Sequence, residues 1–303
     1  MIFIAASLSF LLVHLAPGDP FSSASESGLV DPHVVAMRKR AYGLDRPLPE
    51  QYVRFLGKLA TGDLGPSVRR GKPAAEMLAD AVPQTLALMG AAIALSFVAG
   101  VALGAWQATR AGSPSDRVAT IVSLIVASLP EFWLALALLV LLAYKLPLFP
   151  ASGMYELGMP DTLGSRLHHL ALPALTLTLL GSASIARYQR AAVLDVLPLD
   201  FIRTARAKGV GERGVLWRHA LRNALVPTIV LAGLSLPTVL GGAVFVERVF
   251  SWPGMGDLAV SAFNARDYPV VIGAALIGAL LVVVGGILTD VLHAVVDPRV
   301  RAR

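Results

Sequence analysis

Long apolar runs separated by short charged stretches dominate the chain. Leu86–Trp106, Leu170–Ala186, Val226–Val246 and Val270–Thr289 contain no charged residue, and Val118–Ala143 contains a single one, Glu131. A helix needs roughly 20 apolar residues to cross a hydrocarbon core about 30 Å thick, so each run predicts a transmembrane helix. Ile2–Ala16 is a sixth apolar run, but a short one. At ~1.5 Å per residue it supplies about 22 Å of helix. It lacks a basic leader and a small-residue cleavage site before Pro17, which argues against a secretory signal. We read it as the outer part of a first spanning helix whose inner end lies upstream. The expected fold is therefore all-α and polytopic, with six transmembrane helices. An upstream in-frame extension of apolar residues led by Arg or Lys is expected, and a stop codon directly before the first codon in genomic DNA would contradict it.

Composition agrees with lipid as the main solvent. Of 303 residues, 55% are hydrophobic and only 15% charged, with a mean hydropathy of +0.67. Soluble domains carry about 25% charged residues. The net charge of +6 and pI near 9.9 would suggest nucleic acid in a soluble protein. Here the charges lie between apolar runs, so membrane orientation accounts for them and no nucleic-acid partner is expected. The absence of cysteine excludes disulfides, thiolate metal sites and cysteine nucleophiles.

Basic residues accumulate in cytoplasmic loops. Arg110 and Arg117 oppose Asp116 after the second run, and eight basic residues from Arg187 to Arg222 oppose Asp195, Asp200 and Glu212 after the fourth. The tail carries Arg299, Arg301 and Arg303 against Asp297. Both termini are expected inside and residues 17 to about 84 outside. That divides the chain into 1–84 (first helix and extracytoplasmic segment), 85–293 (the five-helix domain) and a tail at 294–303.

The outer segment reads as folded. Asp31-Pro32 opens a helix closed by Gly43, and Pro49 starts a second, with Tyr52, Phe55, Leu56 and Leu59 on one face, ending near Gly62. The basic run Arg38, Lys39 and Arg40 is read as a solvated helix face, with an anion-binding patch as the alternative.

The most informative segment is Asp200-Phe-Ile-Arg-Thr-Ala-Arg-Ala-Lys-Gly209. Asp200 is a candidate N-cap and Gly209 a C-terminal cap. An isolated helix of about eight residues is marginal in water, so it needs a docking partner. A second helix, roughly Glu212 to Leu225, follows with Val215, Leu216, His219 and Ala220, and Pro227 then opens the fifth span. A basic loop that merely obeys the charge rule explains the arginines but not their order.

That order resembles the cytoplasmic coupling loop of ABC importer permeases. The general motif is Glu-Ala-Ala, three residues, Gly, nine residues, then Ile-x-Leu-Pro. Ala205, Gly209 and Leu221 match it, whereas Arg203, Thr204, His219 and Arg222 depart from it. The departures are the form seen in the dipeptide, oligopeptide and nickel permeases. Leu15-Ala-Pro-Gly-Asp-Pro20, Tyr42-Gly-Leu-Asp-Arg-Pro47, Gly62-Asp-Leu-Gly65, Leu172-Pro-Ala-Leu-Thr176, Phe250-Ser-Trp-Pro-Gly-Met-Gly256, Arg266-Asp-Tyr-Pro269 and the ending with Asp290, Asp297, Pro298 and Arg299 resemble further signatures of that family. His293 stands where Tyr is common. Six spans with a large outer loop after the first are similar to its B-type subunit.

The resemblance implies a type I ABC importer permease fold in a bacterial or archaeal cytoplasmic (inner) membrane. It implies a homologous second permease, two ATPases that bind ATP and Mg, and an extracytoplasmic substrate-binding protein as partners. The cargo is then di- or oligopeptides, with nickel chelates or glutathione as alternatives. The coupling loop, about 190–225, would meet the ATPase through Phe201, Ile202, Arg203, Thr204, Ala205, Arg206, Lys208 and Gly209. Phe201 and Ile202 are expected to enter its cleft, with Arg203 or Arg206 pairing carboxylates around it.

Within the membrane, Glu131 directly after Pro130 is a candidate for the translocation path, because a carboxylate at that depth is costly. A carboxyl packed between two helices is the alternative. Pro130 should kink its span, and Pro173 and Pro237 are candidates for the same. Glu247 and Arg248 are candidates for an outer gate or binding-protein dock, or equally for interfacial anchors. Asp290 is expected to pair with Arg187 or Arg190. Rival classes fit poorly. There is no His-Glu-x-x-His, adjacent His168-His169 cannot share one helix face as zinc ligands, and a proton relay needs more acids than Glu131. No phosphate-binding Gly-x-x-x-x-Gly-Lys-Ser/Thr loop is present, so no cofactor or metal is expected in this chain.

Overall fold

The computed structural model describes residues 2–15, 33, 37, 40, 43, 45–156, 158 and 160–296. The Asp31-Pro32 helix start, Arg38 and Lys39, the stretch from Ala16 to Pro20, and the tail from Asp297 onward lie outside the described residues. The elements are α1 (Ile2–Leu15), α2 (Leu48–Ala60), α3 (Ala74–Thr109), α4 (Pro114–Ser128), α5 (Glu131–Leu138), α6 (Leu163–Val196), α7 (Asp200–Ala207), α8 (Leu221–Val249), α9 (Met255–Asn264) and α10 (Tyr268–Val296). A wide π-type turn, Leu139–Lys145, extends α5.

By length and composition, α3, α6 and residues Tyr268–Val291 of α10 suffice to cross a membrane, and α4 with α5 makes a fourth span if the bent pair is one. α8 has 29 residues and no charge between Val226 and Val246. The expected continuous span Val118–Ala143 is broken. α4 ends at Ser128, Leu129 and Pro130 are extended, and α5 leaves at 107° to α4. Pro130 lacks an N–H and pushes Leu129 out of the helical region, which ends one helix and starts the next. Pro173 and Pro237 cause no such break, because α6 and α8 run continuously through them. Pro227 does not open a helix either. Glu212–Gly214 is helical, Val215–Ala220 forms a second π-type turn, and α8 follows without interruption. Spanning helices tolerate such prolines where neighbouring groups re-satisfy the freed carbonyl.

Two compact units are present, residues 1–84 with 253–280, and residues 85–252 with 281–303. In the first, α2 begins where expected, with Pro49 in its first turn, and Gly62 follows it at φ +76°. Its apolar face packs Phe55 and Leu59 against Ala6, Ile272 and Leu276. Phe10 lies 5.2 Å from the Tyr52 ring and 5.4 Å from Phe55, and the Ser7 and Tyr52 hydroxyls are 2.7 Å apart. The turn at 67–69 is fastened by the buried Asp267 carboxylate, which accepts hydrogen bonds from Ser67 Oγ, from the Val68 N–H at 3.0 Å and from the Arg69 N–H at 3.4 Å. The Arg266-Asp-Tyr-Pro269 signature thus places an internal tie.

In the second unit, Leu88, Ala135, Leu172, Ala174, Val246, Phe250 and Trp252 form one core, and Ala105, Ala108, Val193, Leu221 and Ala224 another. α3 and α6 meet at glycines. A Cβ on Gly100 would lie 2.6 Å from Ile185 Cβ, and one on Gly104 would lie 2.4 Å from the Ala186 carbonyl oxygen. Such small-residue contacts let helices approach where lipid gives no hydrophobic drive between them.

Candidate functional site

The connection leaving α6 builds a small folded loop. Leu199 is the N-cap of α7, and Asp200, expected there, is the first helical residue instead. Its charge still complements the N-terminal end of the helix dipole. Gly209 follows the helix at φ +79°, a left-handed conformation that glycine adopts without strain. Ile202 is 0% exposed and Ala205 is buried; Ile202 packs with Val215 and Ala220 against Val196, Leu197 and Val210. Val196 and Leu197 also pack on the core formed by Ala105, Ala108, Val193, Leu221 and Ala224. The apolar side of α7 is therefore satisfied within this chain and continuous with α3, α6 and α8.

This corrects the expectation that Ile202 enters a partner. A side chain already covered by its own protein is not available to another. Phe201 is 41% exposed, and Arg203, Thr204, Arg206 and Lys208 are exposed beside it. Arg206 donates to both Glu212 carboxylate oxygens, at 2.8 and 3.1 Å, and Arg203 reaches Asp200 only at 3.4 Å. The Arg206 hydrogen bond holds the Glu212 carboxyl below its usual range, and Glu212 raises the Arg206 guanidinium in return. A depressed carboxyl contributes above its ordinary pKa and loses the contribution as pH falls through the shifted one. The pair is thus intact at neutral pH and opens only in acid.

One ion pair lay beyond sequence reasoning. Asp116, buried at the start of α4, accepts from Arg190 Nε and Nη2 of α6, both at 2.8 Å, and from the Gly112 N–H at 3.0 Å. Bidentate arginine–carboxylate geometry is among the stronger polar contacts. Asp290 was expected to pair with Arg187 or Arg190; Arg190 is held by Asp116 instead, and Asp290 is exposed. In the sequence Asp116 registered only as an offset to Arg110 and Arg117. Arg190→Ala leaves a buried carboxylate with the Gly112 N–H alone. We expect a lower melting temperature for the solubilised protein, and one equal to that of the parent would remove the pair from the account.

Pro130 and Glu131 sit at the break between α4 and α5. Glu131 Oε1 is buried without a hydrogen-bond partner among the described residues, while the Val246 backbone N–H approaches the same carboxyl group. Phe132 beside it lies 6.4 Å from Phe245. An unpaired buried oxygen is costly, and Thr178 Oγ1 and both side-chain polar atoms of Gln189 share that state. Glu247 is 0% exposed and accepts from Thr85 Oγ1 at 2.6 Å, whereas Arg248 is exposed. A buried glutamate cannot form a docking surface, so Glu247 drops out as a docking residue. His168 and His169 each meet a backbone carbonyl, of Leu148 at 3.1 Å and Ser165 at 2.8 Å. Among the described residues no group of three or more His, Asp or Glu gathers as a metal site.

Residues 100–302, which hold the broken span, the loop around α7 and Glu247, match the family described as binding-protein-dependent transport system inner membrane component. This chain belongs to that family. The permease is similar to the oligopeptide transport system permease protein AppB of Bacillus subtilis, with 41% identity over 97% of this chain and 93% of the relative. It is 39% identical to the di/tripeptide transport system permease protein of Pseudomonas aeruginosa, over 97% and 93% of the two chains. It is 37% identical to the glutathione transport system permease protein of Pectobacterium atrosepticum, over 98% and 94%. A crystal structure of an amino acid ABC transporter with histidines shares the fold at a TM-score of 0.51, with 15% identity, covering 72% of this chain and 93% of that one. The permease is thus a polytopic all-α subunit of an ABC transport system and not itself an enzyme.

Proposed function

We propose that the permease forms half of the translocation path for di- or oligopeptides, paired with a homologous permease and driven by two ATPases that bind ATP and Mg. The oligopeptide and di/tripeptide relatives named above support the peptide reading, and the glutathione relative supports a short-peptide cargo as the second. The observation that carries the mechanism is the two-sided helix α7. Its inner side is fixed to the core, while Phe201 and its basic neighbours stay exposed. A rigidly based, exposed anchor suits transmission of motion from a soluble partner.

In this reading both termini and α7 lie in the cytoplasm, and residues 17–84 lie outside. A loaded binding protein docks on the outer face near Arg248. The ATPases close on ATP and move α7. α6 follows through Val196 and Leu197, and α4 follows α6 through the Asp116–Arg190 pair. The break at Pro130 lets α4 move while α5 does not, so the path at Glu131 opens outward, takes the peptide and resets after hydrolysis. Residues Phe201, Arg203, Thr204, Arg206 and Lys208 contact the ATPase. Ile202, Ala205 and Gly209 hold the helix in place.

Glu131 is assigned to the amino terminus of the passing peptide, which supplies the cationic donor its free oxygen lacks. Glu131→Gln is expected to cut uptake of labelled peptide roughly tenfold or more, the weight of a charge-assisted hydrogen bond over a neutral one. Assembly and basal ATP hydrolysis should persist. Unchanged uptake across substrate concentration and pH would place Glu131 outside the path.

A further inference from the structure

A groove of about 490 Å³ runs between α3 and α4, lined by Leu103, Trp106, Pro114, Val118, Ala119 and Val122. Its volume falls within the range of small-ligand pockets, roughly 300–1,000 Å³. The walls are apolar apart from the hydroxyls of Ser115 and Ser123. Val118 is 61% exposed and Val122 is exposed beside it, so apolar surface is open along its length.

The end next to the 109–113 turn is basic. The Arg110 guanidinium stands 4.9 Å over the Trp106 ring, a cation–π contact that holds the charge at the mouth. Arg117, exposed, precedes Val118 on the α4 wall. The nearby acid, Asp116, is buried and spends its carboxylate on Arg190; it attracts Arg117 through space without a hydrogen bond to it, and it does not act on Arg110. An apolar groove with a tryptophan in its wall, one guanidinium over that ring and a second exposed arginine next to Val118 in the chain has the layout of a membrane interface, where aromatic rings and basic side chains sit at headgroup level.

We propose that this groove binds one anionic glycerophospholipid of the cytoplasmic leaflet. An acyl chain lies along Leu103, Val118 and Val122, and the phosphate lies between Arg110 and Arg117. The two positive charges decide for an anionic lipid over a helix of the second permease, which would fill the apolar part but leave both guanidiniums without an anion. The leaflet rests on the topology proposed above; the chemistry of the groove does not.

The test uses the assembled transporter, purified and exchanged into phosphatidylglycerol or phosphatidylcholine of identical acyl chains, with retained lipid counted by native mass spectrometry. Phosphatidylglycerol retention should fall about fivefold for Arg110→Gln and again for Arg117→Gln, the weight of one basic side chain near an anionic surface. Phosphatidylcholine retention should stay constant and confirm an intact fold. Equal phosphatidylglycerol retention in parent and variants would overturn the proposal. So would Val118→Cys, introduced into this cysteine-free chain, forming a disulfide with a cysteine in the second permease. Labelling of Arg110→Cys by an impermeant maleimide only from outside would overturn the leaflet, and the lipid count would still judge the groove.

Discussion

Replacing Gly104 with leucine is expected to abolish accumulation of folded permease. A Cβ at this position would lie 2.4 Å from the Ala186 carbonyl oxygen, 2.8 Å from Gln189 Cβ and 2.9 Å from the Arg190 amide nitrogen. Two of these atoms belong to the α6 backbone and cannot rotate away. The helices must separate, and the contact of Ala105 and Ala108 with Val193, Leu221 and Ala224 separates with them. Overpacking a well-filled core costs about 1–3 kcal/mol where side chains can adjust, and the cost is greater where the clash is with backbone. Arg190 stands at the same crossing, so its pair with Asp116 would be displaced too. Gly90→Leu is the control, because nothing lies within 4 Å of a Cβ there. Size-exclusion profiles of a fluorescently tagged permease measure the outcome. A monodisperse Gly104→Leu protein at parental level would show that α3 and α6 do not pack as described.

The long helices α3, α6, α8 and α10 were legible because lipid leaves no alternative to long apolar runs, whereas the run Val118–Ala143 folds as a bent pair; α7 was legible because Asp200 and Gly209 bracket it. The facing of α7 was not. Eight residues show an apolar side at Phe201, Ile202 and Ala205, but nothing in their spacing says whether the chain or a partner covers it. Ile202 and Ala205 turned inward, and Phe201 remained outside. Pro130 announced a kink, yet proline residues at 173, 227 and 237 with the same local chemistry lie in unbroken helices, since tertiary surroundings decide whether a freed carbonyl is satisfied. The ties at Asp116 and Asp267 join residues 74 and about 200 positions apart, beyond the reach of any local pattern. Gly100-Val-Ala-Leu-Gly104 did carry a readable signal, the small-xxx-small spacing of close helix crossings.

If the exposed side of α7 holds the ATPase, Phe201→Asp should release it. Phe201 is the one large apolar side chain on that side, and an apolar anchor seated in a pocket can carry about 2 kcal/mol or more of binding. Its replacement leaves Ile202, Ala205 and the Arg206–Glu212 pair untouched, so the loop keeps its fold. Ile202→Asp differs, because it buries a charge among Val215, Ala220 and Leu197 and collapses the loop itself. Gly209→Val strains a left-handed backbone at about 1–2 kcal/mol without a steric clash, and tilts the helix on its base. The measurement is the amount of ATPase that co-purifies with tagged permease, read beside peptide uptake. Phe201→Asp is expected to insert at parental level, retain little ATPase and transport no peptide. A Phe201→Asp permease that keeps its full complement of ATPase and transports as the parent does would show that the ATPase is held elsewhere.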